Sequence, residues 1–253
     1  MALRPTLEEK RVLVTGAASG IGRAVALRAA AQGASVAMLD IDEPGLEETA
    51  SMAANGNALV VPVDLTDSPA VQTAVDGAVA RLGGLDVVCN VVGWDDPGRF
   101  WEQPLELWEK LLAVNLWSML NVCRATVPVL IEQRAGTIVS VASDAARVGS
   151  KGESVYAAAK GGVVSLTKSL ARELAPHSVT MNCVCPGPTR TPLMQAELES
   201  SPKLVEKLVK AIPMRRVAEP EDIAAVITFF GSDAAGYMTG QVVSVSGGLT
   251  MAG

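Results

Sequence analysis

Histidine occurs once in this chain, as His177, and cysteine four times, as Cys89, Cys123, Cys183 and Cys185. A Ser-His-Asp hydrolase would need that one imidazole as its base, and His177 follows Pro176 at a helix end, a surface or capping position. Cys183 and Cys185 alternate along an expected strand and share a face. No histidine or further cysteine completes a zinc spacing, so reduced, buried thiols and no metal site are expected. The net charge is -6, which leaves no basic footprint for nucleic acid. No apolar run approaches the ~20 residues that a membrane helix needs. The start, Met1-Ala2-Leu3-Arg4-Pro5, lacks the apolar core of a signal peptide, so a cytoplasmic protein without a membrane partner is expected.

What the chain does hold is apolar sequence, 49% against 19% charged, in a length that one α/β domain over 1–253 can use. Arg11-Val12-Leu13-Val14-Thr15 is a short apolar run ending at glycines, the look of a buried parallel strand. A helical stretch follows from Gly22 to about Gln32. Further strands are expected at Ser35–Asp40, Ala58–Val63, Leu85–Asn90, Thr137–Ala142, Val179–Cys185 and Gln241–Ser246. Helical segments lie between them. This alternation predicts a doubly wound, parallel, seven-stranded sheet with ligands beyond the carboxyl ends of its strands. From Thr191 to about Arg216 a charged, largely helical insertion breaks the rhythm before the helix start at Glu219-Pro220-Glu221-Asp222. It is either a lid over a pocket or a surface hairpin.

Gly16, Gly20 and Gly22 lie between the first strand and the first helix, with Ser19 and Ile21 between them. Glycines there let a pyrophosphate approach the helix N-terminus, where amide donors and the dipole favour an anion. Asp40 ends the second strand, where a carboxylate accepts from an adenosine ribose and repels a 2'-phosphate. Neither Ile41 nor Ser19 supplies a cation, so NAD(H) is expected over NADP(H). Asp64-Leu65 closes the third strand beside the adenine position, or caps the next helix.

Tyr156 and Lys160 share one helix face at i and i+4. A free phenol, with pKa about 10, is a poor base near neutrality. A charge ~4 Å away is worth roughly 4 kcal/mol at an effective dielectric of 20. At ~1.4 kcal/mol per unit, that lowers the phenol by up to about three units before desolvation subtracts. Tyr156 then takes a proton from an alcohol or gives one to a ketone. Ser143, emerging after a strand, can polarise the same carbonyl oxygen.

Together the glycine loop, Asp64, Asn90, Asn115, Ser143, Tyr156-x-x-x-Lys160 and Pro186-Gly187-x-x-x-Thr191 resemble the short-chain dehydrogenase/reductase family over essentially the whole chain. The resemblance implies that Asn115 interrupts a helix and holds a water leading to Lys160, and that Lys160 also binds the nicotinamide ribose. It implies that Thr189 and Thr191 hold the carboxamide, and that the assembly is a homotetramer. One departure stands out. Asn90-Val91-Val92-Gly93 replaces the family's Asn-Asn-Ala-Gly, so the loop lacks the hydrogen bonds of the second amide.

For the small-molecule alcohol or ketone, Trp94, Leu193 and Met194 suggest an apolar wall, whereas Trp101 is expected in the core. Arg147 offers a cation for an acyl carboxylate or coenzyme A phosphate, as do Arg190, Lys203, Lys207 and Lys210, although the three lysines fit a solvated face as well. Segments such as Ser143-Asp144-Ala145-Ala146-Arg147-Val148-Gly149 resemble dehydrogenases of 2-hydroxycyclohexanecarboxyl-CoA. Three readings stand: an NAD-dependent dehydrogenase of a cyclic or acyl-linked secondary alcohol, a reductase of 3-oxoacyl thioesters or prochiral ketones, and a dinucleotide-binding regulatory protein without turnover.

Overall fold

The structure is a computed structural model that describes residues 6–53, 56–192, 194–195 and 202–252, with the backbone alone over 202–204. Its strands are β1 (Arg11–Thr15), β2 (Ser35–Asp40), β3 (Ala58–Pro62), β4 (Val87–Asn90), β5 (Gly136–Val141), β6 (Val179–Pro186) and β7 (Val242–Val245). They form one seven-stranded sheet in the order β3-β2-β1-β4-β5-β6-β7, every pairing parallel. The order reverses between β1 and β4, and a crevice opens there beyond the carboxyl ends.

The described helices are α1 (Gly20–Ala31), α2 (Glu43–Met52), α3 (Ser68–Leu82), α4 (Leu105–Leu112), α5 (Ser118–Gln133), α6 (Ala145–Val148), α7 (Ser154–Leu174), α8 (Pro202–Ala211) and α9 (Pro220–Gly231). Both faces of the sheet are covered, so the strands read as unbroken apolar runs. Val12, Val14, Val36 and Met38 pack towards α1 and α9, while Leu13, Ala37 and Leu39 pack towards α3 and α5. The start of α9 is a capping box, with the Glu219 and Asp222 side chains each reaching the other's backbone. All four cysteines are buried and free.

The expected Rossmann-type fold is present, with shifts at element ends. β3 stops at Pro62, which has no N–H for a ladder. Asp64 lies beyond it in a turn, accepting from the Thr66 backbone and hydroxyl at 2.8 and 2.7 Å. The cap of α3 is Asp67, not Asp64. Trp101 is not in the core: it is 78% exposed. The membrane-length criterion also needs correcting. Leu105–Gln133 is one continuous helical run with a window of mean hydropathy 1.3, long enough to cross a bilayer by length and composition. Here it runs alongside α3 and α7 and carries the buried Asn115 and Asn121.

Candidate active site

The site begins where β1 runs into α1. Gly22 is dictated by contact: a Cβ there would lie 1.9 Å from the Gly16 carbonyl oxygen. Ser19 is the extended N-cap of α1, and its side chain caps nothing, so its hydroxyl leaves the first-turn amides to face the crevice. Asp40 stands across the loop, its carboxylate accepting from the Ala18 and Asp42 N–H groups, each at 3.1 Å. Ile41 beside it is 72% exposed. Arg23, on the first turn of α1, donates to the Ala18 carbonyl and to Glu48, each at 2.5 Å. From the far side Thr191 closes on the loop, its Cγ2 3.4 Å from the Cβ position of Gly20. Thr189 folds back onto the Gly187 carbonyl at 2.9 Å, just after Pro186 ends β6. This cradle of glycine backbone, helix N-terminus and a carboxylate at the end of β2 fits a dinucleotide.

The catalytic candidates converge at the next three strand ends. Asn115 occupies a π-helical turn, Ala113–Trp117, between α4 and α5. Its amide exchanges bonds with the Trp94 backbone, accepting at 3.1 Å and donating at 2.7 Å. Gly93 threads between Asn115 and Lys160; a Cβ there would sit 3.1 Å from Lys160 Nζ and 3.3 Å from Asn115 Oδ1. Lys160, fully buried on α7, donates to the Val92 and Val141 carbonyls, each at 3.1 Å. Tyr156 lies one turn earlier, with Ser143 close enough for its hydroxyl to pull the phenol pKa down, while the Ser143 hydroxyl accepts from the Ala145 N–H at 3.1 Å. A small cavity, with room for about one water, is lined by Thr15, Asn90, Asn115, Ser118 and Lys160.

The electrostatics correct the expected acidic phenol. The Lys160 ammonium lies 5.9 Å from the Tyr156 ring centroid and spends its bonds on carbonyls. Tyr156 is half-buried, and desolvation by its surroundings raises the phenol above its usual range. The Ser143 bond pulls it down, while the carboxylates of Asp95 and Glu153 push it further up. Lys160 moves the other way, pushed down to about 8 by burial. In the chain itself Tyr156 is a proton donor first.

Other candidates are redistributed. The Asn90 side chain lies inside, against Cys123 Sγ at 3.7 Å and Ser140 Oγ at 3.5 Å, so it supports the sheet instead of facing a cofactor. Its buried Oδ1 has no partner among the described residues, and Asn90 borders the small cavity, where a water would satisfy it. Leu65 is buried, its carbonyl held by Asn121. Arg147 does not face substrate: it binds Ser244 and the Ala252 carbonyl. Arg190 pairs with Glu219 and Lys210 with Glu206. Trp94 is half-buried, with Lys110 Nζ 3.8 Å over its ring. Met194 is half-buried near Thr191, whereas Leu193 and the Lys203 side chain lie outside the described residues.

Thr15, which sequence reasoning passed over, answers the Val91-Val92 departure. Its hydroxyl accepts from the Val91 and Val92 N–H groups at 2.9 and 3.4 Å, so the loop is held from β1 without a second amide. Its place at the end of β1 was the available signal. Asp95 and Glu153, whose carboxylates raise the phenol, carried no such signal in the sequence; Glu153 stands three residues before Tyr156.

The family model described as enoyl-(acyl carrier protein) reductase matches residues 16–250. The chain belongs to the short-chain dehydrogenase/reductase family. This short-chain dehydrogenase/reductase is therefore an oxidoreductase of alcohol and ketone groups. It is 37% identical to 3-oxoacyl-[acyl-carrier-protein] reductase FabG of Thermotoga maritima, over 97% of this chain and 99% of that one. It is 35% identical to human (3R)-3-hydroxyacyl-CoA dehydrogenase, over 98% of each. The crystal structure of 3-ketoacyl-(acyl-carrier-protein) reductase from Brucella melitensis complexed with NADH matches with a TM-score of 0.91 at 32% identity, covering 97% of this chain and 100% of that one.

Proposed function

We propose that the chain interconverts a secondary alcohol and a ketone on an acyl thioester, with NAD(H) as hydride partner, in the cytoplasm. The observation that carries this is Tyr156 with Ser143 and buried Lys160, beside a glycine cradle whose Asp40 carboxylate is held by the Ala18 and Asp42 N–H groups while Arg23 is engaged by Ala18 and Glu48. When bound, the nicotinamide supplies or accepts the hydride. In reduction, Ser143 orients the carbonyl oxygen and Tyr156 gives it a proton. Lys160 and the small cavity beside Asn115 form the route by which that proton is replaced. Thr189 and Thr191 flank the nicotinamide end, and Gly16, Ser19, Gly20, Ile21 and Gly22 take the pyrophosphate.

The segment 191–216, of which 193 and 196–201 lie outside the described residues, is assigned as the lid over the acyl chain, with Trp94 and Met194 as its wall. Exposed apolar side chains on the α4–α5 run, Leu105 at 64% and Trp117 at 58% exposure, support assembly as a homotetramer. An alicyclic hydroxyacyl-CoA is the substrate suggested by the Ser143–Gly149 segment. The relatives named for 3-oxoacyl and 3-hydroxyacyl thioesters favour a second reading, straight-chain 3-oxoacyl reduction on a carrier protein.

The deciding assay follows nicotinamide absorbance with acetoacetyl-CoA, the same acyl group on carrier protein, and cyclic hydroxyacyl-CoAs. Turnover with NADH at least about tenfold better in kcat/KM than with NADPH is expected, that factor being about 1.4 kcal/mol. Preference for NADPH overturns the cofactor assignment, and turnover on free ketones alone overturns the thioester.

A further inference from the structure

Ser143 is followed at once by α6, a single turn fastened at both ends. At its start the Asp144 N–H donates to the Pro186 carbonyl at 3.0 Å. The Asp144 side chain is only 6% exposed, and its Oδ1 accepts from the Ser244 hydroxyl on β7. That hydroxyl accepts in turn from Arg147 Nη1 at 2.8 Å, while Arg147 Nη2 donates to the Ala252 carbonyl. Asp144 Oδ2 has no hydrogen-bond partner among the described residues, so Ser244 is the side-chain donor to a buried carboxylate. Such a group needs its donor, and a charged group behind that donor strengthens the bond. The returning segment 246–252 also meets the end of the insertion, since Met214 N–H donates to the Gly247 carbonyl at 3.0 Å.

One guanidinium thus joins the serine turn, the edge strand β7 and the segment after it. We propose that Asp144, Arg147 and Ser244 are positioning residues that strap segment 246–252 to the serine turn and keep the Ser143 hydroxyl against Tyr156. The function of that hydroxyl rests on the reading given above. A planar guanidinium reaches Ser244 and Ala252 together, whereas a lysine ammonium is a single point of charge and satisfies one of them well.

The test compares Arg147→Ala, Arg147→Lys and Ser244→Ala in full-length protein, by acetoacetyl-CoA reduction with NADH and by amide hydrogen exchange over 246–252. Arg147→Ala is expected to speed exchange in that segment and to lower kcat about tenfold, as misplacement of a reacting group does, with KM for NADH unchanged. Arg147→Lys recovers part of both. Ser244→Ala lowers kcat while the segment stays protected, because Arg147 still holds Ala252. Wild-type kcat or wild-type exchange in Arg147→Ala overturns the strap, as does Arg147→Lys behaving no better than Arg147→Ala. Should Arg147→Ala not fold, the contrast between Arg147→Lys and Ser244→Ala decides. The exchange arm needs no substrate, so a wild type inert on thioesters sinks the substrate class and leaves the strap judged on exchange.

Discussion

The glycine loop and the phenol site lie side by side above one sheet, yet they are specified in different ways. The loop is fixed by steric exclusion: at Gly22 any side chain meets the Gly16 carbonyl, and no partner can relieve that. At the phenol site, burial and neighbouring charges push against a hydroxyl that pulls the other way. Burial, Ser143, Asp95 and Glu153 all act on one hydroxyl, and the sum has the opposite sign to the one that a Tyr-Lys spacing alone suggests. Geometry of the first kind travels with sequence, whereas electrostatics of the second kind depends on every neighbour.

Perturbing each side in turn sharpens that contrast. Tyr156→Phe carries the largest expected effect, a loss of roughly 10²–10⁴ in kcat, while NADH binding measured by fluorescence persists. Unchanged turnover would remove the phenol from the chemistry. Gly22→Ala should do the reverse, destabilising the fold by about 1–3 kcal/mol through overpacking and abolishing NADH binding. Thermal unfolding with titrated NADH reads both, and wild-type affinity would break the steric account.

pH profiles come next. A phenol held above its usual range stays protonated through neutrality, so ketone reduction should be level there. Alcohol oxidation should climb with pH instead, with a further inflection near 8 as buried Lys160 loses its charge. An oxidation profile already level below neutrality would mean an acidic phenol after all. Smallest is the effect of Asp95→Asn or Glu153→Gln. Each removes a negative charge that raises the phenol, so the oxidation limb should move to lower pH; movement the other way would refute their role.

Much of this was readable in advance because it is local or periodic. Strand-helix alternation gave the sheet, and Asp40 stands at the end of β2 as expected. Asn90 and Arg147 misled for one shared reason: side-chain direction depends on partners distant in the chain. Asn90 turns to Cys123 and Ser140, and Arg147 to Ser244 and Ala252. The Val91-Val92 loop was opaque for the same reason, its anchor being Thr15 on another strand.

By itself, then, the sequence determined the doubly wound sheet, the glycine cradle and the set of polar groups at its edge. Hydrophobic period, forbidden Cβ positions and i,i+4 spacing act within a few residues and leave little choice. Only the tertiary structure decided which of those groups stay charged, which are spent on backbone carbonyls, and which brace others from behind. Desolvation and hydrogen-bond partners are properties of the packed molecule, and packing brings together residues that the chain keeps far apart.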